Sequence, residues 1–298
     1  MIRKIPSRVT KCDHFGMPRL GINQYGKAET HLVRVMRDSD THEVRDLLVS
    51  VALSGELSAV HLEGDNSAVL ATDTQKNTVY AFAKEHGVGT PEAFATILAR
   101  HFVGGAITQA RVEVREVTWS RMGAHAFVQA DRTVRVAVVV AAESALWTLS
   151  GISGLVVLKT TDSEFHGFPR DRYTTLAETT DRMLATEVSA RWRHDGTASF
   201  EDARTALLRT FTGHHSLSLQ QTLYAMGEAV LADCPSVEEV RLSMPNKHHF
   251  VVDLTPFGLT NENEVFHADD RPYGLIEGAV LRDGAPEPGP VWDPYPLV

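Results

Sequence analysis

Patterning along the chain begins with two strand-like runs. HLVRVMRD from His31 and HEVRDLLVSVALSG from His42 flank a short polar turn at Asp38 to Thr41, which predicts a hairpin. Leu57 to Leu62 and Ser67 to Leu70 are short stretches either side of the turn cluster Gly64-Asp65-Asn66. The period then changes. Thr72 and Gln75 have capping-box spacing, Val79, Phe82, Ala83 and His86 fall on one helical face, and Gly87 is a stop signal. Thr90-Pro91-Glu92 opens a second helix with proline at its first position, and Phe94, Ile97, Leu98, His101 and Phe102 form its apolar stripe. Two strands follow, Ile107 to Arg121 and His125 to Ala130. In the first, alternation through Val112 and Val114 slips to Val117 and Trp119, which predicts a bulge near Arg115 and Glu116.

The second half repeats the plan. Val134 to Ala142, Leu155 to Thr160 and Thr186 to Arg193 are strand-like. Ser199 caps a helix with apolar positions Phe200, Ala203, Leu207 and Phe211. Ser218 with Gln221 starts another, carrying Leu219, Leu223, Met226 and Val230. Val237 to Met244 and Phe250 to Leu254 return to strand, and a proline-rich tail after Asp283 reads as extended. Strands, two helices, strands, and then the same again is an α+β duplication: antiparallel sheets with helices gathered on one face. The edges of such sheets ask to be covered.

Composition narrows the classes. The chain has 298 residues, 43% hydrophobic and 22% charged, with a formal net charge of -9 and basic residues interspersed among acids. That argues against nucleic acid or an anionic membrane as the main partner. Cys12 and Cys234 stand far apart, so neither a disulfide framework nor a zinc pattern follows and a reducing compartment fits. Cys12, Asp13 and His14 could form a metal corner, but chance polar residues in a terminal arm are the better reading. MIRKIPSRVTKCDHF has no apolar core of a secretory signal, and the uncharged run Ser144 to Leu158 is too short and too rich in Gly and Ser to span a bilayer.

Candidate chemistry centres on Lys159 to Trp192. It contains Phe165, which could stack on a flat ligand, and the fixed donors Arg170, Arg172 and Arg182 among a run of threonines. A planar polar anion suits that set, with a solvated loop followed by an ordinary strand as the alternative. Lys27 becomes a base only if burial or a neighbouring cation lowers its pKa; otherwise it is a surface lysine. Thr72 and Asp73, and likewise Leu219 and Gln220, sit at helix starts, where free N–H groups favour an anion. Asn246 and His248 could hold dioxygen or water and relay a proton. Neighbours on a strand point to opposite faces, so only one of His248 and His249 is expected in a site.

SEFHGFPRDRYTTLAETTDRMLATEVSARW resembles the central signature of the urate oxidase family. QYGKA at Gln24, ATDTQKNTVYAFAKEHG at Ala71 and MPNKHHFVVDL at Met244 agree with it in order, so the resemblance covers Asn23 to Leu254 and, more weakly, to Leu281. It implies tandem tunnelling-fold (T-fold) repeats at 23–142 and 143–282, an N-terminal extension at 1–22 and a tail at 283–298. It also implies a homotetramer that closes its sheets into a barrel, with sites shared between subunits. The implied reaction is the cofactor-independent, metal-free oxidation of urate by dioxygen and water to 5-hydroxyisourate and hydrogen peroxide. By the same resemblance Lys27 is the catalytic base partner of Thr72. Thr72 and Asp73 come from a neighbouring subunit, Phe165 stacks on urate, and Arg182 and Gln220 grip its edges with the backbone of Leu219. Asn246 and His248 hold dioxygen or water above the plane. PYPLV is not the peroxisomal address that eukaryotic members usually carry, so a bacterial cytoplasm is expected. A pterin- or GTP-directed tunnelling-fold enzyme and an inactive purine-binding scaffold are the alternatives.

Overall fold

The computed structural model of the chain describes residues 18–293, without the side chains of Ala130 and Asp131. The possible metal corner at Cys12, Asp13 and His14, most of the N-terminal extension and the last prolines, Pro294 and Pro296, lie outside the described residues.

The alternating runs pair into one antiparallel sheet. β1 (Tyr25–Met36) and β2 (Glu43–Gly55) make the predicted hairpin. After a short helix, α1 (Ser58–Leu62), come α2 (Thr72–Glu85) and α3 (Pro91–Phe102), then β3 (Ile107–Arg121) and β4 (Phe127–Ala142). The second half runs β5 (Leu146–Lys159), β6 (Leu184–His194), α4 (Phe200–Gly213), α5 (Leu219–Asp233), β7 (Val237–Ser243), β8 (Asn246–Val251), β9 (Phe266–Gly274) and β10 (Glu277–Leu281). The sheet order is β1-β2-β3-β4-β5-β6-β7-β10, with β8 pairing with both β6 and β9. The β4–β5 hairpin makes the two halves one continuous sheet.

Alternation decides the layers. Leu47, Val49, Val51 and Leu53 of β2 share a buried cluster with Val79 and Ala83 of α2 and Phe94 and Leu98 of α3. Trp192, Val188 and Val240 do the same beneath Leu207, Phe211, Leu223 and Met226 of α4 and α5. Each such side chain contributes about 1.5–3 kcal/mol on leaving water. In β4 the odd positions Val139 and Ala141 face the helices. The even positions Val136, Val138 and Val140 join Leu149 and the tail residue Val291 in a third cluster. Thr90, Ser199 and Ser218 cap α3, α4 and α5, each accepting a backbone N–H at 3.2 Å.

Several local expectations change. Thr72 is the first residue of α2, not its cap; Ala71 holds the cap position and makes no side-chain cap bond. The bulge in β3 falls between Val117 and Trp119, two residues beyond the predicted place. The strands expected at His125 to Ala130 and Val134 to Ala142 are one long strand, β4, which begins at Phe127. The strand expected at Phe250 to Leu254 starts earlier, at Asn246, because Pro245 has no N–H with which to continue β7. The Leu57 to Leu62 stretch contains α1, and His101 is exposed, its ring 4.7 Å from that of Phe82. The tail is not extended throughout: Gly289–Trp292 forms a 3-10 turn on the sheet.

That turn is tightly fitted. Gly289 has φ +59°, and a Cβ there would lie 2.3 Å from Trp147 Nε1. Trp292 Nε1 donates to Glu239 at 2.8 Å, Arg241 stacks over the Trp292 ring, and Arg193 donates to the carbonyl of Pro286. Gly289→Ala is expected to cost at least about 1 kcal/mol from the left-handed backbone alone. Chemical denaturation should show a lower midpoint at unchanged slope.

Candidate active site

The second half builds a cavity of about 760 Å³ where the outer sheet divides. β7 and β8 lie end to end along one edge of β6: Ser243 pairs with Ser189, and Asn246 with Thr186. Outside them, β10 pairs with β7 and β9 with β8. The cavity opens at this double break, and Phe165, Arg182, Leu219, Gln220, Asn246 and His248 all line it. Six residues drawn from three separated stretches therefore meet around one space.

Arg182 stands just before β6. Its backbone N–H donates to the carbonyl of Ser163 at 2.8 Å and its Nε to Ser163 Oγ at 3.3 Å; Ser163 itself is fully buried. Burial pushes the Arg182 guanidinium down from its ordinary pKa. Among the described residues no carboxylate lies within ion-pair distance of it. Glu178, a conceivable partner, instead accepts the N–H of Gly167 at 3.1 Å. The fork therefore remains available to a ligand, while Arg170 and Arg172 lie exposed outside the cavity wall.

Phe165 is held by its backbone, exchanging hydrogen bonds with Thr179 at 2.8 and 3.1 Å. Its ring stacks on Phe168 with centroids 5.0 Å apart, and the Arg182 guanidinium lies 5.3 Å from the Phe165 centroid. Across the cavity is the start of α5. Ser218 caps this helix, leaving the Leu219 and Gln220 N–H groups without intrahelical partners. The Leu219 side chain is buried in the core and Gln220 is exposed, so the first turn is anchored by one residue and presents the next.

β8 supplies the remaining wall. His248 stacks on Phe250 at 5.6 Å, two residues along the same face. The expectation that only one histidine enters is overturned, since His249 also lines the cavity. All of Asn246 to Val251 borders the cavity, backbone included, so alternation along β8 does not decide which residues reach it. Sequence reasoning also missed Leu176, Met183, Phe266 and Ile276 in the wall. They come from segments with no clear period, and only apolar character marked them.

Lys27, Thr72 and Asp73 do not line this cavity. They gather at the other end of the chain, where β1 meets the start of α2. Lys27 lies within β1 rather than before it, paired with Val51 and followed by a bulge at which Glu29 adopts φ +52°. Tyr25 OH accepts the N–H of Leu70 at 3.0 Å, fastening β1 to the approach of α2. Asp73 is held below the usual carboxylate range, first by its hydrogen bond from Lys76, with the Lys27 charge adding to the effect. The expected capping box is absent. Gln75 is fully buried and its amide donates to the carbonyl of Leu70 at 3.2 Å. The Thr72 hydroxyl, which makes no cap bond, is exposed.

No helix of the described residues is long and apolar enough to cross a membrane. Among the same residues no group of three or more His, Cys, Asp or Glu side chains could hold a metal ion.

The family model described as Uricase matches residues 23–140 and 148–277. The uricase of Arthrobacter globiformis is 51% identical over 282 residues, spanning 92% of this chain and 93% of that relative. The uricase of Aspergillus flavus is 37% identical over 288 residues, spanning 87% and 95%. The crystal structure of uricase from Arthrobacter globiformis superposes with a TM-score of 0.89 at 50% identity, covering 93% of this chain and 99% of that one. A uricase from Bacillus fastidious, at 23% identity and a TM-score of 0.76, shares the fold.

Proposed function

The chain belongs to the uricase family, and we propose that it oxidises urate with dioxygen and water to 5-hydroxyisourate and hydrogen peroxide, at sites shared between subunits of a homotetramer. The observation that carries the substrate reading is Arg182: a partly buried guanidinium with no carboxylate partner among the described residues, beside an aromatic ring and facing a helix N-terminus. Urate is flat and anionic near neutral pH. Phe165 covers its face, Arg182 takes one edge as a fork, and Gln220 with the Leu219 N–H takes the other.

In this reading urate is itself the reductant. It passes two electrons to dioxygen through a hydroperoxide on the ring, which leaves with two protons as hydrogen peroxide. Water then adds to the oxidised ring to give the hydroxylated product. Donor and acceptor are both substrates, so the reaction as written asks for no resident cofactor. Lys27 and Thr72 act together as the base that forms or holds the more ionised urate. Asp73 helps to fix that pair, and Asn246 and His248 hold dioxygen or water above the purine plane.

The direct test is loss of urate absorbance, with release of peroxide, by chelator-treated protein in air-saturated buffer. Activity that vanished with the chelator and returned with copper or iron would overturn the scheme. In the same assay Arg182→Gln should raise KM about ten- to a hundredfold, because hydrogen bonds to a charged group contribute about 1.5–3 kcal/mol. An unchanged KM would make Arg182 structural.

Two observations support the shared site. Lys27, Thr72 and Asp73 cluster away from the cavity of their own chain, and the sheet is open, with β1 at one end of its path. Closing such edges against further copies would form a barrel and bring one chain's cluster to another's cavity. Arg182→Gln and Thr72→Ala chains, each nearly inactive alone, should complement when unfolded and refolded together. In a two-fold mixed pair one site collects both lesions and the other none, so roughly a quarter of sites become wild type. Absence of recovery in mixed oligomers confirmed by mass would refute sharing.

A further inference from the structure

The segment carrying Phe165 is an extended ribbon held at isolated points along its two edges and not by a continuous ladder. Its backbone is pinned at single points: Ser216 N–H to the Asp162 carbonyl at 2.9 Å, Arg182 N–H to the Ser163 carbonyl at 2.8 Å, Glu164 N–H to the Ser216 carbonyl at 2.8 Å, and the Phe165–Thr179 pair. Immediately beyond, Gly167 has φ +75°, with nothing within 4 Å of where a Cβ would be. Isolated bridges fix where a ribbon runs, but they leave its roll soft. Roll is what matters for stacking, because it swings the ring out of the plane that a purine would meet.

Opposite the ring, the Glu164 side chain is gripped from two directions. The Nε2 of His215 donates to Glu164 Oε1 at 2.9 Å, and the Nε2 of His166 donates to Oε2 at 2.9 Å. His166 is two residues along the same ribbon, so that contact stiffens it locally. His215 belongs to the approach of α5, three residues before its cap, and joins the ribbon to the element that presents Leu219 and Gln220. The carboxylate is held below its usual range, first by the hydrogen bond from His215. The other charged group on the clamp is Asp162, whose Oδ1 lies 3.9 Å from His215 Nδ1; Glu178 faces away to the Gly167 N–H.

We infer that Glu164 is a positioning residue for urate: bridged between His166 and His215, it locks the roll of the Phe165 ribbon against the start of α5 and so holds the stacking ring and the edge-binding groups at a fixed spacing. The inference rests on the urate reading of the same cavity. Loss of the clamp weakens purine binding and leaves the chemistry of bound urate nearly intact, because no clamp residue lines the cavity.

The experiment compares Glu164→Ala, Glu164→Gln, His215→Ala and the Glu164→Ala/His215→Ala double variant. Turnover of urate and the Kd for xanthine, a flat purine anion, are measured on each full-length protein. Glu164→Ala should raise KM for urate and Kd for xanthine about tenfold, with kcat changed less than about threefold. Glu164→Gln, whose carbonyl still accepts from His215, should recover most of the loss. The double variant should be no weaker than the worse single, as residues acting through one contact are non-additive. A drop in active fraction or in Tm at unchanged KM and Kd would overturn the inference, and so would additive losses. If Glu164→Ala does not fold, His215→Ala reads the same contact, since that side chain is 53% exposed and its removal opens no cavity. Should the wild type fail to turn over urate, the reading of the reaction falls, while the xanthine Kd still decides the clamp.

Discussion

One edge of β6 has to serve two strands. β7 runs along it to Ser243, Met244 donates to the carbonyl of Ile276, and Pro245 has no N–H to offer. The ladder is interrupted there, and β8 resumes beside Thr186 in the register that β7 had kept. The outer pair is interrupted at the same level, between β9 and β10, and Asn246 and Ile276 from the two interruptions both line the cavity. Asn246 and His248 stand on one lip because they are the first residues after the break. Arg182 and α5 reach the same opening because β6 begins there.

Two arginines show how partners separate scaffold from site. Arg193, almost fully buried, is satisfied by Glu238, Glu239 and the carbonyl of Pro286. Removing one of those acceptors would leave a buried charge poorly compensated, which is costly. Arg182 is partly buried, yet Ser163 is the side chain it bonds. Among the described residues it has no counter-charge, and in the proposed reading the urate anion supplies one. The overall charge of -9 conceals this, because acids elsewhere do not compensate a cation at this distance.

Much of this was legible in the chain. Strand alternation found the β1–β2 hairpin and the full length of β3. Cap chemistry located the starts of α3, α4 and α5, whose Thr90, Ser199 and Ser218 accept the bonds expected of them. Cap chemistry failed at Thr72, where the same spacing to Gln75 occurs but burial of the glutamine side chain competes with the cap and wins. β9 lacks alternation because it is a largely exposed edge strand, and nothing in its pattern announces a wall of the cavity. The motifs named Phe165, Arg182, Gln220 and His248 together. The resemblance also implied that Thr72 and Asp73 come from a neighbouring subunit, and the fold places both, with Lys27, away from the cavity of their own chain. Glu164 escaped notice for a simpler reason: its importance lies in two histidines, one of them 51 residues away.

The tail turn at Gly289–Trp292 gives the chain a timetable. Val291 completes the cluster formed by Val136, Val138, Val140 and Leu149, on the face of the central strands that the helices do not cover. During synthesis the two helix-covered layers can assemble as they emerge, the first well ahead of the second. The seam between them stays open on its other face until the segment carrying Val291 has left the ribosome. Until then the valines in the middle of the sheet are open on that face to a wrong partner.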